Sequence, residues 1–322
     1  SLRPHQPLPQ TALSKKTVMK IRTPSLKESA ICVTALLLWL AVTAAFIGFR
    51  PEHPAMAVLI AALFFVNGAT RRLIVALIPF CVFGISYDWM NICPNYMVNP
   101  IDVAGLYETE KSLFGITTAT GTVVTPNEFF ALHNCTLMDF LGGLFYLCWV
   151  PVPIIFGLYL YFKGREEAYI HFSLVFLLVN LIGFTFYYIH PAAPPWYVAL
   201  HGLEPVLNTP GDTAGLGIFN ALYARNSNVF AALPSLHSAY TLVALIYALR
   251  YKASTAWRIV LAVVTAGIWF TAVYTSHHYI IDVLGGIACA FVGFAVFEYA
   301  LMRTPAFSRF IARYVAFITP KK

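Results

Sequence analysis

Eight apolar runs, most of them long and nearly free of charge, set the limits on what this chain can fold into. They lie at Ile31 to Phe49, Ala55 to Ala69, Leu73 to Ser86, Leu137 to Phe162, Ala168 to Ile189, Leu233 to Leu249, Ile259 to Thr275 and Ile280 to Leu301. In hydrocarbon every backbone polar group must be satisfied within the segment, so runs of this kind span as helices. The second and third fall short of the ~20 residues a straight span needs, which predicts a tilted or re-entrant hairpin around Arg71 and Arg72. A chain that is 59% hydrophobic and 11% charged has too few charged residues to cover a soluble surface. The expected fold is all-α, a polytopic transmembrane helical bundle of about six to eight spans.

The charge pattern orients that bundle. With the basic N-terminus in the cytoplasm and the segments alternating, 18 of the 21 Lys and Arg residues fall inside, leaving only Arg50, Lys111 and Arg225 outside. A formal charge of +7 would suit nucleic acid if it were gathered on one face, but here it is scattered between apolar runs, so no nucleic-acid partner is expected. The expected organisation is a tail-like cytoplasmic N-terminus over 1–30, one transmembrane domain over 31–302, and a basic cytoplasmic C-terminal tail over 303–322. Residues 1–18 show no helical periodicity, and with no small-residue cleavage site after it the first span is expected to serve as an uncleaved insertion signal.

Two outside segments are long, Tyr87 to Thr136 and His190 to Ala232, and connections of that length carry function or short elements of their own. In the first, Gly105 to Gly115 reads as a short interfacial helix. The second opens with His190-Pro191-Ala192-Ala193-Pro194-Pro195-Trp196-Tyr197, whose prolines stop a helix and whose aromatics suit the headgroup level. Cys93 and Cys135 both lie in the first outside segment, either as a disulfide or as two thiols.

The stretch Ala231 to Gly286 concentrates the chemistry. It holds Pro234-Ser235-Leu236-His237, two apolar runs joined by a basic turn, and Ser276-His277-His278-Tyr279-Ile280-Ile281-Asp282. Two spans return His237 and the His277/His278 pair to the same membrane face. Asp282 stands four residues after His278, one helical turn away, where a carboxylate can hold the ring and leave the other nitrogen free to attack. His237 falls in the first turn of a helix with Ser235 as its N-cap, a place where free N–H groups meet a phosphate and a histidine can protonate a leaving oxygen. A metal held by His237, His277, His278 and Asp282 is the competing reading, but a helix start favours an anion over a cation. Serine hydrolysis through Ser235 or Ser238 lacks a nucleophile elbow.

Pro234-Ser235-Leu236-His237 and His278-Tyr279-Ile280-Ile281-Asp282 resemble the second and third signature motifs of the type 2 phosphatidic-acid phosphatase superfamily. They are most similar to its branch of inositol phosphorylceramide synthases, and the match is specific over about 189–301. Tyr87-Asp88, Asn99-Pro100-Ile101-Asp102, Glu110 to Gly115 and Trp149 to Pro153 look like the acceptor-side region of such enzymes. The chain departs from the phosphatases in lacking their arginines: there is none near Pro191, and Thr271 and Ala272 stand where a Ser-Arg pair is expected. Without that clamp a singly charged phosphodiester is favoured over a phosphomonoester.

The resemblance implies transfer of phosphoinositol from phosphatidylinositol to ceramide with no metal or cofactor. His278 would be the nucleophile, Asp282 its orienting carboxylate and His237 the acid and base. Ser235, His277, Arg225, Lys111, Tyr197 and Asp102 are the candidate substrate contacts, and Asp102, Glu108, Glu110 and Glu128 could hydrogen-bond inositol hydroxyls or remain a solvated loop. The alternatives are a lipid phosphate phosphatase, with water as acceptor, and a lipid transporter, for which midplane charges and inverted repeats would be expected.

Overall fold

The structure is a computed structural model that describes residues 23–205 and 229–320. Residues 1–22 of the tail expected over 1–30, and the candidate Arg225, lie outside those residues. Helices run at α1 (Leu26–Phe46), α2 (Glu52–Val66), α3 (Gly68–Ala76), α4 (Ile78–Trp89), α5 (Ala104–Phe114), α6 (Pro126–Leu132), α7 (Thr136–Tyr146), α8 (Pro151–Phe162), α9 (Glu166–Ile189), α10 (Pro195–His201), α11 (Leu236–Arg250), α12 (Thr255–Tyr274), α13 (Ile280–Ala295) and α14 (Pro305–Ile318). A two-residue hairpin, β1 (Ile116–Thr117) with β2 (Val123–Val124), is the whole of the sheet among the described residues.

Among the described residues, four helical stretches are long and apolar enough to cross a membrane: Leu26–Phe46, Glu166–Ile189, Thr255–Tyr274 and Ile280–Arg303. Two bent pairs, α3 with α4 and α7 with α8, raise the number to six. That is the lower end of the expected range, because α2 and α11 have only 15 residues each and reach about 22 Å at 1.5 Å per residue. The run Leu137 to Phe162, read as one span, is broken instead. Pro151 begins α8 and its ring cannot continue the turn before it, so α7 and α8 meet at 43°. Likewise the turn expected around Arg71 and Arg72 falls earlier, at Asn67, whose Oδ1 accepts the N–H groups of Ala69 and Thr70 (2.8 and 2.9 Å) and starts α3. Within the expected C-terminal tail over 303–322, α14 packs back on the bundle with Ile311 and Ile318 buried, and Tyr314 donates to the carbonyl of Val75 (2.6 Å).

α9, α11 and α13 form the centre. Half of the apolar window of α9 is buried, against 6% for α1, which lies at the rim. Small residues let the central helices approach. A Cβ on Gly286 would stand 2.0 Å from the carbonyl oxygen of Ser235, so the start of α11 rests directly on α13. The same end carries an ordered layer built from both long connecting segments. The expected helix at Gly105 to Gly115 is α5. Asp102, Ala192 and Ala231 pair in parallel as isolated bridges, tying three distant stretches side by side. Asn95 Nδ2 fastens that layer to the bundle by donating to the carbonyls of Tyr187 (2.9 Å) and Phe230 (2.7 Å). Trp196 and Tyr197, expected at the headgroup level, are buried against protein: they pack with Val103, Ala193 and Phe230 in a small core of this layer. Cys93 and Cys135 are both free thiols.

Candidate active site

The site begins with a helix start. Ser235 Oγ accepts the N–H of Ser238 (3.4 Å) and the Ser238 hydroxyl (3.0 Å), while the Ser235 N–H donates to the Asp282 carbonyl (2.8 Å). Ser235 is thus a buried cap that ties α11 to α13 rather than a surface offered to a substrate. Two residues later His237 points at His278.

At the end of α12 the chain reverses. Ser276 adopts φ +58°, an unusual backbone for a residue with a side chain, and the N–H groups of His277 and His278 both donate to the Ala272 carbonyl (3.0 and 2.8 Å). His278 Nδ1 then lies 3.0 Å from the Ala232 carbonyl and 3.5 Å from Asp282 Oδ2, and its Nε2 lies 2.9 Å from His237 Nδ1. Asp282 Oδ2 accepts the Tyr279 N–H at 2.8 Å, and Oδ1 is buried with no hydrogen-bond partner among the described residues. The expectation that Asp282 takes the hydrogen bond of His278 is therefore modified: the nearer acceptor is a backbone carbonyl, and the carboxylate stands just behind it.

These distances fix the proton positions. His278 Nδ1 faces only oxygen acceptors, so it carries the hydrogen and Nε2 carries the lone pair. The His237 nitrogen facing that lone pair must be N–H. Burial pushes His278 down to about 4, against a smaller upward pull from the Ala232 carbonyl, so the ring is neutral near pH 7. A neutral nitrogen with a lone pair thus faces a proton donor, and a phosphoryl group that displaced this contact would meet both.

Aromatic side chains from the break between α7 and α8 wall the pair. Trp149 meets His237 edge-on at 4.5 Å between centroids, and Tyr146 lies 4.2 Å from His277 and 5.3 Å from His237. His277 is buried against Tyr146 beside the pair. Among the described residues no Arg or Lys hydrogen-bonds or ion-pairs with His237, His278 or Asp282, and no group of three His, Cys, Asp or Glu is arranged to hold a metal ion.

The remaining candidates are engaged elsewhere. Asp102 pairs with His190 Nε2 (3.0 Å) and accepts the Leu106 N–H (3.2 Å). Lys111 lies over the Tyr107 ring at 5.4 Å, and the buried Tyr197 donates to the Glu204 carbonyl at 3.3 Å. Glu128 accepts Tyr107 Oη (2.9 Å) and the Thr125 N–H (2.7 Å). Glu110, read as an inositol contact or a solvated loop residue, is neither. It is fully buried and holds the N–H groups of Ile280 (2.9 Å) and Ile281 (3.2 Å). Sequence reasoning missed Asn127, whose Nδ2 donates to the carbonyls of Val273 (2.8 Å) and His278 (2.9 Å). The capping box Thr125-x-x-Glu128 was the available sign of its helix.

A polytopic helical bundle that pairs two histidines from successive helices beside a buried carboxylate falls into a known class. Residues 112–296 match the PAP2 superfamily, and the chain belongs to it as an integral membrane protein. More particularly, it is 57% identical over 306 residues to the phosphoinositol dihydroceramide synthase of Bacteroides thetaiotaomicron, with 92% of this chain and 99% of that protein covered. It is 30% identical over 179 residues to the inositol phosphorylceramide synthase of Candida albicans, covering 49% of this chain and 36% of that one. The catalytic subunit of the Saccharomyces cerevisiae inositol phosphorylceramide synthase is 26% identical over 247 residues, covering 73% and 59%. No solved structure gives a significant match to the chain.

Proposed function

We propose that the protein transfers phosphoinositol from phosphatidylinositol to ceramide or dihydroceramide, releasing diacylglycerol and leaving inositol phosphorylceramide. The observation that carries this reading is the 2.9 Å approach of a lone-pair nitrogen on His278 to an N–H of His237, in a chain 57% identical to a phosphoinositol dihydroceramide synthase. His278 Nε2 attacks the phosphorus, and the bond to the diacylglycerol oxygen breaks as His237, entering the step as imidazolium, donates a proton to that oxygen and becomes neutral. The Ala232 carbonyl and Asp282 stabilise the positive charge that develops on the His278 ring. His237, now a base, takes the proton of the ceramide primary hydroxyl. That oxygen attacks the phosphohistidine, the P–N bond breaks, and both histidines return to their starting state. The fence of Tyr146 and Trp149 suits acyl chains entering from the bilayer, and the bias of Lys and Arg supports an extracytoplasmic site with both termini cytoplasmic.

The test incubates purified protein with phosphatidylinositol and a short-chain fluorescent ceramide without divalent metal, then separates the lipids. A more polar ceramide product, absent with His278→Ala, is the expected result. Untouched ceramide with phosphate released from phosphatidic acid would overturn it in favour of a phosphatase.

A further inference from the structure

The structure assigns Glu110 a role in substrate choice: we propose that its buried charge makes the site favour a singly charged phosphodiester over a doubly charged phosphomonoester. This rests on the reading above of the site as a phosphotransferase. The first turn of α13 begins two residues after His278, and its unpaired N–H groups would ordinarily present about half a positive charge to an anion. Here that position is filled. Glu110 reaches it from α5, 170 residues away in the sequence, and its two carboxylate oxygens each accept one N–H of that turn, from Ile280 and Ile281. α5 is itself anchored, by Asp102 accepting the Leu106 N–H and by Tyr107 donating to Glu128. Burial lifts the Glu110 carboxyl above its ordinary range, and the Ile280 and Ile281 N–H groups pull it back.

The consequence is electrostatic. Glu110 places its carboxylate on the helix start that follows His278, and among the described residues no Arg or Lys hydrogen-bonds or ion-pairs with Glu110, His237, His278 or Asp282. A phosphodiester brings one negative charge and a monoester about one and a half to two. The additional charge is repelled by the Glu110 carboxylate in a buried site, where a unit pair several ångströms apart changes a rate or affinity by about tenfold.

The experiment measures, on one preparation of each protein, kcat/KM for phosphoinositol transfer from phosphatidylinositol and kcat/KM for phosphate release from phosphatidic acid. Taking the ratio cancels differences in the folded fraction. Glu110→Gln removes the charge and keeps one acceptor, and the ratio is expected to fall about tenfold toward the monoester. Glu110→Asp disturbs the cap but keeps the charge, and its ratio is expected to stay within about twofold of wild type. An unchanged ratio in Glu110→Gln, or equal shifts in both variants, overturns the proposal. A wild type without phosphoinositol transfer would instead overturn the functional reading. Should Glu110→Gln fail to fold, wild-type inhibition at pH 8 by a dialkyl phosphate is compared with that by a monoalkyl phosphate; equal or stronger inhibition by the monoalkyl phosphate overturns the charge argument, and weaker inhibition supports it.

Discussion

Two clusters of buried ionisable side chains sit at opposite ends of the same three central helices, and they are built differently. At the end away from the candidate site, Glu298 Oε1 lies 2.9 Å from His171 Nδ1 and accepts the Tyr247 hydroxyl (2.7 Å), while Oε2 accepts Arg250 (2.8 Å). Each carboxylate oxygen is engaged and an arginine balances the charge. At the other end, among the described residues, Asp282 has one oxygen without a partner, no arginine joins it, and His278 Nε2 lies against His237. A buried charge with every group satisfied holds helices together; one left partly unsatisfied retains the capacity to react. The helix carrying Glu298 passes through a π turn at Val296–Ala300, which turns that carboxylate into the space between α9 and α11.

The comparison can be broken most directly by His278→Ala. Transfer is expected to fall by at least about 10⁴-fold with little change in thermal unfolding in detergent, and measurable turnover would remove His278 from the nucleophile's role. His237→Ala is expected to lower kcat by about 10²-fold to 10⁴-fold, since the leaving oxygen and the acceptor hydroxyl both lose their proton partner. Asp282→Asn should cost about a hundredfold, less than in a triad whose carboxylate alone fixes the tautomer, because the Ala232 carbonyl at 3.0 Å already holds the His278 Nδ1–H. Equal losses in Asp282→Asn and His278→Ala would show that the carbonyl does not suffice.

At the other end the expectation reverses. Glu298→Gln leaves Arg250 without its charge partner and should destabilise the fold by about 3 kcal/mol, seen as a lower unfolding temperature, with kcat per folded molecule within about threefold of wild type. A large loss of kcat without destabilisation would erase the distinction between the two clusters. The smallest effect concerns pH. Protonation of His278 removes its lone pair, and with the ring pushed down to about 4 the acid limb of kcat/KM should lie well below the ordinary histidine value near 6.5. A limb centred near 6.5 would mean that water reaches the ring.

Much of this was legible along the chain. The four-residue spacing of His278 and Asp282, the helix start at Ser235 and the short helix after Asp102 follow from local geometry, which a sequence carries within one or two turns. The break between α7 and α8 was legible in Pro151 and Pro153 but was read as one continuous span. What could not be read were partners far apart in the chain. The Ala232 carbonyl against His278, Tyr146 and Trp149 against the histidines, Asn127 on the His278 carbonyl and Glu110 on the α13 N-terminus come from stretches with no periodic relation to the motif they serve. A carboxylate in a polar loop has the same local pattern whether it is solvated or buried.

The sequence by itself therefore determined a membrane bundle, the pairing of two histidines with a carboxylate at one face, and the kind of chemistry proposed for these residues. Apolar run length against bilayer thickness, and helical periodicity, are properties of neighbouring residues. Only the tertiary structure decided which acceptor holds the nucleophile, which nitrogen is free, and that Glu110 faces inward, because each depends on the close approach of segments brought together by packing, where a difference of one ångström separates a hydrogen bond from none.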